Sequence, residues 1–209
     1  MTSLRERQKE RRSREILDAA TALIGEKGYD ETSVEEIAAR AEVGVATVYN
    51  YFGSKNELLH ALLAAYIEGE LARGATVVSD PPQDMVDGMA ALFGAYLDGM
   101  ERTASKRLMQ EFLAMAVSKQ FAYGQHTFRM KMAFMEQCRQ LALHYEADNQ
   151  IRADVTAEEA ALVCYSAVTL PYTRFLLDIE GDVRAAQLAI RRNLSLVISG
   201  LGANQEERK

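Results

Sequence analysis

Residues 33–57 constrain this chain more than any other stretch. Ser33 is followed three residues later by Glu36, and Ser54 by Glu57, the spacing of a capping box at a helix N-terminus. Between the caps, Val34, Ile37, Ala38 and Ala41 recur at i, i+3, i+4 and i+7, which writes one buried helix face. Glu42-Val43-Gly44 breaks that period. Residues 45–52 then predict a helix too short to stand alone in water. Its outward positions carry Thr, Tyr, Asn and Tyr where a solvated helix carries Glu and Lys. Two short helices about a tight turn, the second with a polar-aromatic face, imply a helix-turn-helix suited to the DNA major groove.

The run from Ala41 to Lys55 resembles the TetR family of bacterial transcriptional regulators, through Thr47, Tyr49, Phe52 and Lys55 at fixed offsets. Ile16, Leu17, Asp18, Ala19 and Ala20, with Lys27, Gly28 and Tyr29, fit that family's first helix, so the motif resemblance covers roughly residues 12–66. Beyond it, only an all-helical C-terminal part of the expected length matches. Two positions depart from the pattern. Glu42 stands where the family usually has glycine, at a cost of roughly 1 kcal/mol if φ is positive. Gly44 replaces the usual Ser or Thr at the N-cap and offers no side-chain oxygen.

The resemblance implies an all-α protein of about nine helices. An N-terminal three-helix helix-turn-helix domain (1–57) precedes a ligand-binding and dimerisation domain (58–209). It implies a ligand-responsive transcriptional regulator, a repressor by preference, that binds double-stranded operator DNA and is not an enzyme. An activator, or a helical small-molecule carrier without DNA function, is the alternative. Ser33, Val45, Ala46, Thr47, Tyr49, Asn50, Tyr51 and Lys55 are the expected DNA-facing residues. Val45 and Ala46 suit a thymine methyl, Thr47 and Asn50 a base edge or phosphate, and Tyr49 and Lys55 the backbone. Val43, Val48, Ile37 and Phe52 are assigned to the core.

The 209 residues are 48% hydrophobic with only three prolines, which suits a helical core. The first residues are polar and charged, so no signal peptide is expected. No apolar run reaches the roughly 18 residues of a membrane span. Cys138 and Cys164 are isolated and suit reduced thiols on packed helices, and a cytoplasmic location is expected. A net charge of −6 argues mildly against nucleic acid, but its distribution softens this. Arg5, Arg7, Lys9, Arg11, Arg12 and Arg14 face only Glu6 and Glu10 in a basic arm spanning residues 1–14. Either the arm tracks phosphates or enters the minor groove, or it is a frayed, solvated terminus.

The first helix is expected over 7–27, ended by Gly28. A fourth starts after Ser54 and carries Leu58, Leu59, Leu62 and Leu63 past the small domain. Asp80-Pro81 fits an N-cap and first-turn proline for the fifth. Gly124 should separate the sixth from the seventh. Thr156 and Glu159 open the eighth, and Gly181 closes it. Val183, Ala186, Ile190, Leu194 and Val197 stripe the ninth. Residues 160–170 are apolar almost all round, and this helix must be covered on most sides. A homodimer through the eighth and ninth helices, burying Leu194, Val197 and part of 160–170 between subunits, satisfies that, as does a central core helix of a monomer.

No nucleophile elbow, P-loop or dinucleotide motif occurs, and His60, His126 and His144 share no ligand spacing, so no metal or cofactor is expected. His60 is expected to be exposed. The resemblance further implies an effector in the larger domain. Candidates for its lining are Phe93, Phe112, Met115, Phe128, Met132, Met135 and Tyr165, with Thr169, Tyr172 and Arg174 as polar positions near Pro171, which should kink its helix. Plain core packing is the competing reading for each of them. An effector bound there would be largely apolar.

Overall fold

A computed structural model describes residues 3–98, 100, 106–111, 113, 121–178 and 181–201, without the side chains of 121–128, 130 and 201. The helices are α1 (Leu4–Lys27), α2 (Val34–Arg40), α3 (Val45–Phe52), α4 (Lys55–Ser79), α5 (Met85–Asp98), α6 (106–111), α7 (Phe121–Ala147), α8 (Ala157–Leu177) and α9 (Val183–Leu201). The chain divides into two compact units. One comprises the residues up to Ile67 with the described residues between 102 and 126, and the other comprises 68–101 and 127–209. Packing thus carries the first unit ten residues beyond 57 along α4 and adds the region of α6.

The first unit is built on one apolar centre. Ile16, Ala20 and Ile24 of α1, Val34, Ile37 and Ala38 of α2, Val48 of α3 and Leu58, Leu59, Leu62 and Leu63 of α4 are all buried. Each large aliphatic side chain removed from water contributes about 1.5–3 kcal/mol. Val43 and Phe52 are half-buried at the rim, because one side of α3 and its turn faces solvent. His60 is half-buried, not exposed.

Three turns set the helix directions. α1 ends at Gly28 with φ 90° and ψ 167°, a region only glycine occupies comfortably. α2 ends in a Schellman motif: Val43 N–H donates to Ala38 O at 2.9 Å and Glu42 N–H to Ala39 O at 3.2 Å. Glu42 occupies the left-handed position of that motif, with φ 54°. α3 ends in a γ-turn of the rarer hand. Ser54 N–H donates to Phe52 O at 2.8 Å around Gly53, whose φ is 73°. A Cβ on Gly53 would also run into the Glu57 carboxylate.

α1 begins at Leu4, not near residue 7. Ser3 accepts from Glu6 N–H at 3.2 Å while Glu6 accepts from Ser3 N–H at 2.6 Å, a complete capping box. The basic stretch is therefore helical. α5 begins at Met85, because Asp84 Oδ1 accepts from Val86 N–H at 2.9 Å and Asp87 N–H at 3.2 Å. The expected Asp80-Pro81 cap is displaced by those satisfied amides. α7 starts at Phe121 and runs through Gly124, since one glycine costs a helix only about 1 kcal/mol. α8 ends at Leu177 with Asp178 as its cap, ahead of Gly181.

In the second unit α9 packs against α5 and α8. Ala186, Ile190, Leu194 and Ile198 of α9 are buried, as are Cys164 and Val168 of α8 and Met89, Leu92 and Leu97 of α5. Cys138 and Cys164 are free and buried. Burial pushes both thiols up, Cys164 to about 12. Tyr145 is fully buried against Gly88, where a Cβ would clash, and its hydroxyl donates to Pro82 O at 2.7 Å. Pro171 lies inside α8 and leaves the Ala167 carbonyl without its helical donor. Asn193 Nδ2 of α9 takes that carbonyl at 2.9 Å, so the helix continues to Leu177. By length and composition α8 is long and apolar enough to cross a membrane, contrary to the sequence expectation. Part of that apolar surface is buried on α9.

Two stability outcomes follow. Replacing Glu42 by Gly should relieve its positive φ and raise stability by up to about 1 kcal/mol, or about 2–4 °C in Tm, with calorimetry as the check. A lower Tm would mean that Glu42 is unstrained. Glu36 receives Lys27 Nζ at 2.5 Å and Ser33 N–H at 2.8 Å, and its carboxyl falls from 4.5 to about 2. A lowered acid stabilises the fold above its unfolded pKa and loses that contribution as pH falls through the folded value. Stability from Glu36 should therefore be present above pH 4.5 and disappear toward pH 2. Glu36→Gln should flatten the pH dependence of urea midpoints across that window.

Candidate nucleic-acid interface

The surface of α3 follows from its one buried side chain, Val48. With that residue inward, the helix repeat turns Ala46, Tyr49 and Asn50 outward, and all three are exposed, Tyr49 by 46%. Val45, Thr47 and Tyr51 flank them and are half-buried. Gly44 caps with its carbonyl alone, accepting from Thr47 N–H at 2.8 Å. Five helix positions predicted from sequence to face DNA thus form one continuous strip with Tyr51 at its edge. It carries no charge of its own, which suits base edges, where donors, acceptors and methyl groups are read.

Lys55 stands in the first turn of α4, where a cation is disfavoured by the helix dipole. Its ammonium lies 4.2 Å from the centre of the Tyr29 ring and 3.4 Å from Asp30 O. No acid lies within ion-pair distance of it among the described residues. Tyr29 is itself fixed, donating its hydroxyl to Asn56 Oδ1 at 2.5 Å. Tyr29 and Asn56 are positioning residues that the sequence pattern did not reveal, because the contact joins residues 27 positions apart. Ser33 is placed differently. Its hydroxyl accepts from Glu36 N–H at 3.2 Å and donates to Glu36 Oε2 at 2.9 Å, so both functions serve the cap. A phosphate would have to displace Glu36 to reach it.

Those of the expected effector residues whose side chains are described are scattered in the second unit. Phe93 is buried, Met135, Tyr165 and Tyr172 are half-buried, and Met132 and Thr169 are at the surface. The Thr169 hydroxyl donates back to Tyr165 O at 2.9 Å. Phe112 and Met115 lie outside the described residues, as does the side chain of Phe128. What the fold brings together is an aromatic cluster centred on Phe134, with Phe93 at 4.8 Å, Tyr96 at 4.3 Å and Tyr165 at 5.9 Å between ring centres. Beside it, Tyr96 donates to Gln137 Oε1 at 2.7 Å and Gln137 donates to Leu71 O at 2.8 Å. Glu70, 1% exposed, pairs with Arg73, which also donates to Ala95 O at 3.1 Å. Burial raises the phenols of Tyr96, Tyr165 and Tyr172. Phe134, Tyr96 and Gln137 were not singled out from sequence; the polar pair interrupts an apolar stripe and is recognisable only in three dimensions. Among the described residues no group of three His, Cys, Asp or Glu could hold a metal.

Residues 16–62 match the family model for bacterial regulatory proteins, tetR family. The HTH-type transcriptional repressor KstR of Rhodococcus jostii is 38% identical over 95 residues, 46% of this chain and 43% of that one. An uncharacterised HTH-type regulator of Mycobacterium bovis is 31% identical over 124 residues, 51% of this chain and 58% of that one. The chain thus spans about half the length of the curated relatives it matches. A solved structure of a regulator from Mesorhizobium loti, ascribed to the TetR family, superposes with a TM-score of 0.77 at 19% identity, covering 93% of this chain and 98% of that one. The last likeness shows the all-helical fold of both parts. Over its helix-turn-helix segment, residues 16–62, this chain is similar to the bacterial regulatory proteins of the tetR family.

Proposed function

We propose that the protein is a ligand-responsive, DNA-binding transcriptional regulator of the bacterial cytoplasm, acting as a repressor released from its operator by a small, largely apolar effector. The observation that carries this reading is the uncharged strip on α3 beside Lys55, a lysine held by Tyr29 and without an acidic partner among the described residues. Residues 1–57 then serve as the DNA-binding part and 58–209 as the effector and dimerisation part. The name of KstR, a repressor, supports the sign of regulation. Effector binding fits the aromatic cluster around Phe134. α4 begins at Lys55 and continues into the second unit, so a tilt of it would alter the separation of two recognition helices. Half-sites lie about 34–36 Å apart, or at multiples of one turn, and a mismatch of a few ångströms releases the duplex. An effector acts only through tighter binding to the released state.

Homodimerisation fits the same reading, since one recognition helix reads too few bases. The surface available for it is apolar: Leu162, Val163 and Leu170 of α8 and Leu188 and Leu196 of α9 are exposed. Small residues Ala185, Ala189, Ser195 and Ser199 are exposed on α9 as well, which permits close helix approach. Leu194, expected from sequence at the interface, is instead fully buried within its own unit, and Val197 is half-buried. A charge at Leu194 would therefore test folding, not assembly.

Selection from a randomised duplex library should yield an operator. On it, Lys55→Ala should weaken binding to every variant and reduce the slope of log affinity against log salt by about 0.9. Tyr29→Leu should reproduce part of that loss, whereas Asn50→Ala should alter base preference. An unchanged salt slope for Lys55→Ala would exclude the docking. Sedimentation velocity should find a dimer that Leu170→Glu with Leu196→Glu converts to folded monomer, while Leu194→Glu loses the fold itself. A wild-type monomer at micromolar concentration would remove the dimer.

A further inference from the structure

One face of α1 changes character along its length. Its inward stripe is apolar at Ile16, Ala20 and Leu23, all buried. Traced back toward the N-terminus on the same face, the residues are Arg12, Lys9, Gln8 and Arg5. Arg5, Gln8, Lys9 and Arg12 stand at i, i+3, i+4 and i+7, and the three cations fall within about 40° of the Ile16 direction at 3.6 residues per turn. Where the face would meet protein it is apolar, and where the helix overshoots the core it is cationic. These side chains, with Arg11, share a surface groove with Tyr51, the last tyrosine of the α3 strip.

The cations are poorly placed for helix stability. Arg5 lies in the first turn, at the positive end of the helix dipole, and Arg5 with Lys9 is a like-charge i, i+4 pair. Glu15 compensates Arg11 at 3.5 Å and Arg12 at 3.4 Å. The Glu6 carboxylate is used by Ser3 N–H. Arg5 and Lys9 have no acid within ion-pair distance among the described residues. The capping box at Ser3 holds this stretch helical in spite of the repulsion.

We propose that the first three turns of α1 form a phosphate clamp, in which Arg5, Lys9 and Arg12 grip the DNA backbone flanking the half-site that α3 reads. This rests on the DNA-binding reading above and extends its footprint. The occupant is backbone and not minor groove, because a helix with side chains is about 10–12 Å across and that groove about 6 Å wide. The groove beside Tyr51 makes the clamp continuous with the base-reading strip.

The test is fluorescence anisotropy on the library-selected operator. Arg5→Ala/Lys9→Ala/Arg12→Ala should lower the salt slope by about two to three units, at about 0.9 per phosphate. Its melting temperature should hold or rise, because like-charge repulsion is removed. Arg129→Ala/Lys131→Ala, which removes two exposed cations of α7, should leave the slope unchanged. Trimming the base pairs flanking the half-sites should cost the wild type affinity and the triple variant none. Exchanging flanking A·T for G·C at constant length should change nothing. A wild type that selects no duplex overturns the DNA-binding reading itself. A wild type that binds, with the slope unchanged in the triple variant or with strong flank-sequence dependence, overturns the clamp alone.

Discussion

The geometry of α3 depends on the burial of one valine. α3 is eight residues long, well below the length at which a helix persists in water, and Val48 is its one buried side chain. The helix exists because that valine is drawn into the centre formed by α1, α2 and α4, and because the turns on either side are held by backbone bonds. The Schellman motif at Glu42 and the γ-turn at Gly53 leave little freedom in how α3 enters and leaves. A rigid strip of Ala46, Tyr49 and Asn50 is the consequence. The positive φ at Glu42 is the cost of aiming it.

Electrostatics are arranged against local stability in the same unit. Ser3, Ser33 and Ser54 cap α1, α2 and α4, and Glu6, Glu36 and Glu57 stand in the first turns, as the helix dipole favours. Arg5 and Lys55 occupy first turns, where it does not. The caps offset the cations, so positive charge can be displayed without melting the helices. With the chain as a whole at −6, this display is local, and composition alone conceals it.

The second unit solves a different problem. Pro171 breaks the hydrogen-bond ladder of α8, and Asn193 of α9 repairs it from outside. Two helices are thereby tied together at the point where one is weakest. Near the aromatic cluster, Glu70 is paired with Arg73, which also donates to Ala95 O, while Tyr96 donates to Gln137 and Gln137 to Leu71 O, so these polar side chains inside the unit are partnered.

Much of the first unit was legible in the sequence, because its signals are local. The capping box at Ser33, like that at Thr156 in the second unit, acts within four residues, a period-3.6 stripe declares a buried face, and Gly28 and Gly53 mark turns that other residues resist. Signals that compete locally were misread. Asp80-Pro81 resembled a helix start, but Asp84 had the amides to cap; Gly124 resembled a break, but a long helix absorbs one glycine. What only the tertiary structure decided involves distant partners. Tyr29 over Lys55, Asn193 on Ala167 and the Tyr96–Gln137 pair join residues that no window along the chain contains. Leu194 and Leu196 carry the same residue type two positions apart, and one is buried while the other is exposed by 66%. Sequence determined that α9 is an apolar-striped helix; which stripe its own unit consumes, and which remains for a partner, depends on how α5 and α8 pack around it, because burial is a property of the assembled surface and not of the residue.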